Sequence, residues 1–346
     1  MSTTSMHILL IGPRLDAKRN NVGGATRSFE YLVDYLEGQQ VVHRVINTQK
    51  FGSTAANFAF CLVDLLRFIW GSNLVFLNTS QKGIVFLGPI VFVLSRLLGK
   101  KVVVRPFGGA LKEQYETAGG LRKWLFRATI LQADIVYLQT KALIQFFQPL
   151  SGRVKQFSTS RKAPDNQFLR GDRPFQKRFL FLGHVKKTKG IGELIEAKKQ
   201  LDDSYTIDVF GPIVEPVYDD LSQAPFYKGV LTNEQQVLRT LQQYDVVVLP
   251  TYYPGEGYPG TLIEAYSLGL PVIATQWKSI PEIVESEKTG ILVAPQSVEA
   301  LVQGIQSFNA GNYPEMSRHA LQCFKAQFEV SNVMEKAMRE LQELVQ

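Results

Sequence analysis

Short apolar runs of strand length recur along this chain, and most are followed by a stretch of helical spacing. In the first half the runs fall at His7–Gly12 and at residues 41–46, 74–77, 102–104 and 135–138, with helical stretches at 29–36, 83–98 and 121–131. The runs are apolar throughout and do not alternate with polar residues. Strands of that kind are covered on both faces, and with helices between them they make a parallel sheet. The pattern lapses over residues 151–176, a polar stretch rich in Ser, Lys, Arg and Pro, which reads as a linker. A second series then begins. Its strands are expected at Arg178–Leu182, Thr206–Phe210, Val246–Leu249, 272–274 and 291–293, and its helices near Ile191–Lys199, 233–242, 260–268 and 298–307. Two more helical stretches, 313–327 and 331–345, close the chain. The expectation is two doubly wound α/β domains, residues 1–165 and 166–330. In such sheets ligands bind beyond the carboxyl ends of the strands.

Charge divides the chain unevenly. Residues 1–170 hold 22 Lys and Arg against 9 Asp and Glu, a net of +13, whereas residues 171–346 come to −6. An asymmetry of this size points the first half toward an anionic partner: nucleic acid, membrane or acidic ligand. The first half lacks the aromatic interleaving of a nucleic-acid module, so no nucleic-acid partner is expected; a basic nucleic-acid-binding protein is kept as the alternative from another class. Two cysteines, Cys61 and Cys323, exclude a disulfide scaffold and a CxxC metal site. They read as buried small hydrophobes in a chain from a reducing compartment. Two longer apolar stretches, residues 58–70 and 84–98, are interrupted by Asp64 and Arg67, and by Pro89, Ser95 and Arg96. Neither offers the ~18–20 uninterrupted apolar residues of a spanning helix. They are either core helices or a surface whose Phe, Leu and Trp dip into lipid headgroups beside Lys and Arg.

Four segments carry chemistry. The first, PTYYPGEGYPGTLIE at residues 250–264, follows the buried strand Val246–Leu249. Gly255, Gly257 and Gly260 surround Glu256, and Glu264 stands eight residues on, in a helix. Backbone N–H groups at such a turn suit a phosphate, and a carboxylate there can accept bonds from sugar hydroxyls. The plain alternative is two solvated glutamates beside an ordinary loop. The second, residues 181–190 (FLGHVKKTKG), places His184, Lys186, Lys187 and Lys189 between a strand and a helix; it suits a diphosphate or is a basic surface turn. The third is Gly23-Gly24 before a helix, a loop that lets backbone approach a ligand closely or is a common turn. It lacks the G-x-G-x-x-G fingerprint of a nicotinamide enzyme. The fourth, Arg105-Pro-Phe107-Gly108-Gly109, ends a strand. Arg105 and Tyr115 are candidates for an acceptor phosphate or hydroxyl; the plain alternative for Arg105 is a structural interdomain ion pair.

The first segment resembles the E-x7-E motif of retaining GT-B-fold glycosyltransferases, in particular family 4, the glycosyltransferase group 1 type. EAYSLGLPVIAT and IPEIVESEKTGILV resemble that family's downstream run, and the likeness covers most of residues 178–305. It implies two Rossmann-like domains facing across a cleft, with residues 331–346 returning to the first. It implies sugar transfer from a nucleotide diphosphate-sugar with retention, without a metal or other cofactor. The implied donor ligands are Gly23, Gly24, His184, Lys189, Val230, Leu231, Glu256, Gly257, Tyr258, Pro259, Gly260, Thr261 and Glu264. Among these Lys189 stabilises the leaving diphosphate, Glu256 orients the sugar and Glu264 holds the ribose. Arg105, Phe107, Gly108, Gly109 and Tyr115 are the acceptor candidates. Relatives usually carry Arg where His184 stands, and many place a histidine near Arg105; the four histidines here are His7, His43, His184 and His319. The acceptor is expected to be a lipid-linked or free oligosaccharide on the cytoplasmic face of an anionic membrane, in surface polysaccharide or glycolipid assembly. A GT-B-fold epimerase or hydrolase is the alternative within the same fold.

Overall fold

The apolar runs form two parallel sheets in a computed structural model that describes residues 6–15, 24–168 and 174–346. The chain divides into one unit of Met1–Ser158 with Val333–Gln346, and a second of Thr159–Asn332.

The first unit contains β1 (His7–Gly12), α1 (Gly24–Gly38), β2 (Val42–Asn47), α2 (Thr54–Phe68), β3 (Leu74–Ser80), α3 (Gln81–Leu97), β4 (Lys101–Phe107), α4 (Leu111–Thr117), α5 (Gly120–Ala128), β5 (Ile135–Leu138), α6 (Lys141–Phe147) and β6 (Val154–Gln156). Its six strands run in the order β2-β1-β3-β4-β5-β6, all neighbours parallel. Strand residues alternate between the two faces. Leu9, Leu77, Val104 and Leu138 point to the face covered by Cys61 and Leu65 of α2, Ile84 and Val91 of α3, Phe126 of α5 and Phe147 of α6. Tyr137 points the other way, and its hydroxyl donates to Glu340 Oε2 at 2.6 Å.

The second unit contains β7 (Arg178–Leu182), α7 (Ile191–Lys199), β8 (Thr206–Phe210), α8 (Glu234–Leu241), β9 (Val246–Leu249), α9 (Gly260–Ser267), β10 (Val272–Thr275), β11 (Gly290–Val293), α10 (Val298–Gln306) and α11 (Tyr313–Cys323). The strand order is β11-β10-β9-β7-β8, again parallel. The last helix, α12 (Val330–Val345), begins here and ends in the first unit. Side-chain oxygens of Ser53, Ser80, Thr140, Asn233 and Ser297 each accept a backbone N–H at a helix start. Such caps are worth about 0.5–2 kcal/mol apiece.

Both sheets use an aspartate to align neighbouring strands. Asp134, ahead of β5, accepts the N–H of Val102 in β4 at 2.7 Å. Asp245, ahead of β9, accepts the N–H of Arg178 in β7 at 3.0 Å.

The structure corrects the linker. Residues 154–156 form β6, which pairs with β5. Thr159–Arg161 already belong to the second unit: Arg161 N donates to Phe328 O and Val330 N donates to Arg161 O, both at 2.9 Å. In this division the first unit's main segment ends at Ser158 and the second unit begins at Thr159.

Residues Thr54–Gly71 are helical and reach a mean hydropathy of 1.3 over 18 residues, long and apolar enough by length and composition to cross a membrane. Only 17% of that stretch is buried in the fold. Cys61, Leu65 and Ile69 face the sheet, while Val63, Leu66 and Trp70 are exposed. It is a helix with one stripe facing the core and an exposed apolar outer face.

Candidate active site

In the second unit β7 and β9 are neighbours, with Phe179 opposite Val246 and Leu180 opposite Val247. The loops leaving their carboxyl ends therefore emerge side by side. Tyr252 N donates to Thr188 O at 2.9 Å, which ties the two loops together. Gly190 completes the contact. It has φ of +76°, and a Cβ there would stand 2.1 Å from the carbonyl oxygen of Pro250. Only glycine takes this conformation at this distance.

That contact brings Lys189 and Glu256 together. Lys189 Nζ donates to Glu256 Oε2 at 2.5 Å, and Thr251 Oγ1 donates to the same oxygen at 2.8 Å. Among the described residues, Glu256 Oε1 takes no bond. The carboxylate is 8% exposed, so that oxygen is a buried-edge acceptor aimed by two fixed donors. An ammonium has three donors and Lys189 spends one here, leaving two for an anion. Lys186 lies with Nζ 3.9 Å from the centre of the Tyr253 ring. Partial burial and the charge of Lys189 hold Lys186 below its ordinary value, against the pull of Glu256 and Glu215. His184 is depressed in the same way: crowding of the loop comes first, then the ammoniums of Lys186 and Lys189. Both neighbouring ammoniums disfavour its imidazolium form, so His184 adds less positive charge to the loop than an arginine would. α7 starts one residue beyond Gly190, so its free N–H groups face the same loop.

α9 begins after Pro259, with Gly260 as its first residue. Thr261 Oγ1 donates to Leu182 O at 3.2 Å, fixing the helix start to the end of β7. Glu264, one turn in, is buried and accepts Arg161 Nε at 2.7 Å. Arg161 lies under the helix start, where a Cβ on Gly260 would stand 1.8 Å from its Nη2. The sequence reading missed Arg161, which is 103 residues from its partner and inside the supposed linker. Tyr258, a donor candidate, is buried; its hydroxyl donates to Glu282 Oε2 at 2.6 Å and its ring meets Phe328 edge-on. Its visible work is to hold the loop. Gly257 and Pro259 are buried beside it. Val230 is half exposed and Leu231 partly covered, beyond Gly229, whose carbonyl accepts Gly211 N at 2.8 Å near the end of β8.

The first unit holds the remaining candidates. Gly23 lies outside the described residues; Gly24 opens α1. Arg105, at the carboxyl end of β4, is 3% exposed. Its Nη2 donates to Ser28 Oγ at 2.8 Å, Nη1 reaches Asn78 Oδ1 at 3.4 Å, and the guanidinium stacks 3.7 Å from the Phe157 ring centre. Among the described residues no carboxylate pairs with it. Burial pulls it down to about 9, which leaves it charged at neutral pH. Asn78 Nδ2 beside it is shielded and has no partner. Phe107 is 5.0 Å from the same guanidinium, ahead of Gly108 at φ +111° and Gly109. Tyr115 is elsewhere, on α4 in an aromatic cluster with Phe126, Phe146 and Phe147, and its hydroxyl accepts Arg127 Nε at 2.5 Å. Among the described residues no group of three or more His, Cys, Asp or Glu could hold a metal ion.

Two parallel-sheet, Rossmann-like units of this kind are the fold of GT-B glycosyltransferases. The structure aligns with Anabaena Alr3699/HepE, solved in complex with UDP, at a TM-score of 0.74 and 16% identity, over 98% of this chain and 100% of that one. The same protein has also been solved with UDP-glucose. Residues 176–309, which include Lys189, Glu256 and Glu264, match the family model of glycosyl transferases, group 1. The putative colanic acid biosynthesis glycosyltransferase WcaL of Escherichia coli K12 is 29% identical over 153 residues, 39% of this chain and 37% of that protein. The putative teichuronic acid biosynthesis glycosyltransferase TuaC of Bacillus subtilis is 27% identical over 184 residues, 52% and 46% of the two chains. The matched regions span less than half of either relative.

Proposed function

We propose that this protein transfers a sugar from a nucleotide diphosphate-sugar, held by the second unit, to an acceptor in surface polysaccharide or glycolipid assembly. The observation that carries the reading is the Lys189–Glu256–Thr251 cluster at the carboxyl edge of the second sheet. Lys189 and the N-terminus of α7 meet the charge that grows on the departing diphosphate, where fixed donors are most effective. Glu256 Oε1 accepts a hydroxyl of the transferred sugar. Glu264, held by Arg161, faces the ribose.

Transfer proceeds with retention on the donor's own face. The bond from the anomeric carbon to the diphosphate oxygen breaks, the acceptor oxygen bonds to the same face of that carbon, and the acceptor proton passes to the leaving diphosphate. This route needs neither an enzymic base nor a metal. The buried, uncompensated Arg105 receives an anionic group of the acceptor. The acceptor lies at the cytoplasmic face of an anionic membrane, on which the basic first unit rests.

UDP and UDP-glucose are carried by the solved HepE, so uridine is the first base to test. In a thermal-shift panel of UDP-, GDP- and ADP-sugars, one base is expected to stabilise the protein; no stabilisation by any of them ends the reading. Product anomers read by NMR test retention, and rates in excess EDTA test metal independence. Donor turnover that ignores every added acceptor would favour the hydrolase alternative.

A further inference from the structure

The first unit carries a cavity of about 450 Å³ that the donor chemistry does not use. It lies between α3 and the α4–α5 pair. Val85, Phe86, Leu111, Tyr115, Ala118 and Phe126 make most of its wall. The volume is in the range of small-molecule sites and the lining is mainly apolar. Leu111 stands four residues past Phe107, so the cavity lies next to the strand-end edge where doubly wound sheets take ligands.

Two polar features point to an occupant with a charged end. Arg122 lines the cavity and, among the described residues, has no carboxylate partner. Gln114 Oε1, also in the wall, is shielded from water without a hydrogen-bond partner. The helices that line the cavity also carry exposed apolar side chains, Phe86 in its wall and Leu121 and Trp124 elsewhere on α5. Phe86 is 65% exposed, Leu121 77% and Trp124 64%. Further exposed apolar side chains are Val93 and Leu97 of α3, Val63 and Leu66 of α2 and Trp70 just after it; both helices pack on the same side of the sheet. The unit's 21 Lys and Arg against 11 Asp and Glu match an anionic surface and not a neutral protein face.

We propose that this cavity takes the hydrocarbon chain of a membrane amphiphile whose anionic headgroup is held by Arg122. The exposed apolar side chains rest on the bilayer from which the amphiphile is drawn. The proposal rests on the glycosyltransferase reading only in giving its acceptor a lipid chain.

The test is calorimetric titration of the full chain with farnesyl phosphate below its micellar concentration. Inorganic phosphate and farnesol serve as arms that lack the chain or the charge. Farnesyl phosphate is expected to bind at least 100-fold more tightly than inorganic phosphate. Ala118→Trp, which fills the cavity, is expected to weaken it tenfold or more. Arg122→Glu, an exposed change that leaves the fold intact, is expected to weaken farnesyl phosphate several-fold and farnesol not at all. Dodecyl phosphate separates the sources. Equal binding supports a phospholipid chain, preference for the branched chain supports an isoprenoid carrier, and either supports the cavity's assignment. Farnesyl phosphate binding that is absent, matched by inorganic phosphate, or unchanged in both variants overturns it. So does a solution dimer that blocks farnesyl phosphate, which would give the face to a second copy. Stabilisation of the wild-type chain by UDP is read separately; its failure alone sinks the donor reading and leaves the cavity's assignment standing.

Discussion

Two arginines are buried to almost the same degree, Arg105 in the first unit at 3% exposure and Arg161 in the second at 4%. Arg161 meets a carboxylate, Glu264, and is part of the second unit's framework. Arg105 meets Ser28, Asn78 and the face of Phe157, none of them charged. The same contrast runs through both units. In the second, the site's charges are paired with one another, Lys189 with Glu256 and Arg161 with Glu264, so the cluster is held in shape by its own residues. In the first, a buried cation is left uncompensated, which costs stability unless an anion repays it. Among the described residues, the buried arginine of the second unit has a carboxylate partner and that of the first has none.

The contrast is broken most directly at Arg161. Arg161→Met strands Glu264 as a buried charge and is expected to cost about 3–5 kcal/mol. Calorimetry should show a melting point lower by on the order of ten degrees, with much of the loss recovered in the Arg161→Met, Glu264→Leu double variant. A melting point within a degree of wild type would mean that the pair is not framework. Next comes Lys189→Met. Steady-state assays with the preferred donor should find kcat reduced roughly 10²–10³-fold, the usual cost of removing one fixed donor to transition-state charge. A change confined to KM would reassign Lys189 to ground-state binding. Arg105→Met sharpens the comparison from the other side. Chemical denaturation should give a stability within about 1 kcal/mol of wild type, the scale of an ordinary substitution, while KM for an anionic acceptor rises. A loss as large as that at Arg161 would put Arg105 in the framework too.

The smallest effect belongs to His184. Its folded value is held below the ordinary one of about 6.5, so as pH falls through 6.5 the unfolded chain takes up a proton that the folded chain resists. Wild-type stability should therefore fall relative to His184→Gln below pH 6.5, with no difference above pH 8. A curve of opposite sign would mean that His184 gains an anionic partner in the fold.

The second unit was legible in the sequence nearly residue by residue. Its strands are short apolar runs bounded by turns, and β7, β8 and β9 begin and end where those runs do. Glu256, Lys189 and Glu264 could be found because glycines and a helix start surround them. Arg161 could not: it has no periodicity around it, and only the ladder to Phe328 and Val330 shows that it is held. The short helices α4 and α6, of seven residues each, carry too few turns to show a 3.6-residue repeat, and the three residues of β6 too few to alternate. The aromatic cluster that surrounds Tyr115 on α4, with Phe126 and Phe147, is brought together by the fold from separate helices and has no signal in local spacing. For α2, apolar spacing revealed which residues avoid water, but not whether a second element covers the outer face. The exposed Val63, Leu66 and Trp70 answer that only in three dimensions.

Gly190 has a consequence for how this site can change. The ammonium of Lys189 and the carboxylate of Glu256 are gauged by an atom that is missing, since the smallest side chain at 190 would drive into the Pro250 carbonyl. Most sites can be adjusted by exchanging one side chain for a slightly larger one; this one offers no such gradation. On the reading proposed above, a changed donor preference would have to arise at exposed edges such as Val230, away from the contact between the two loops.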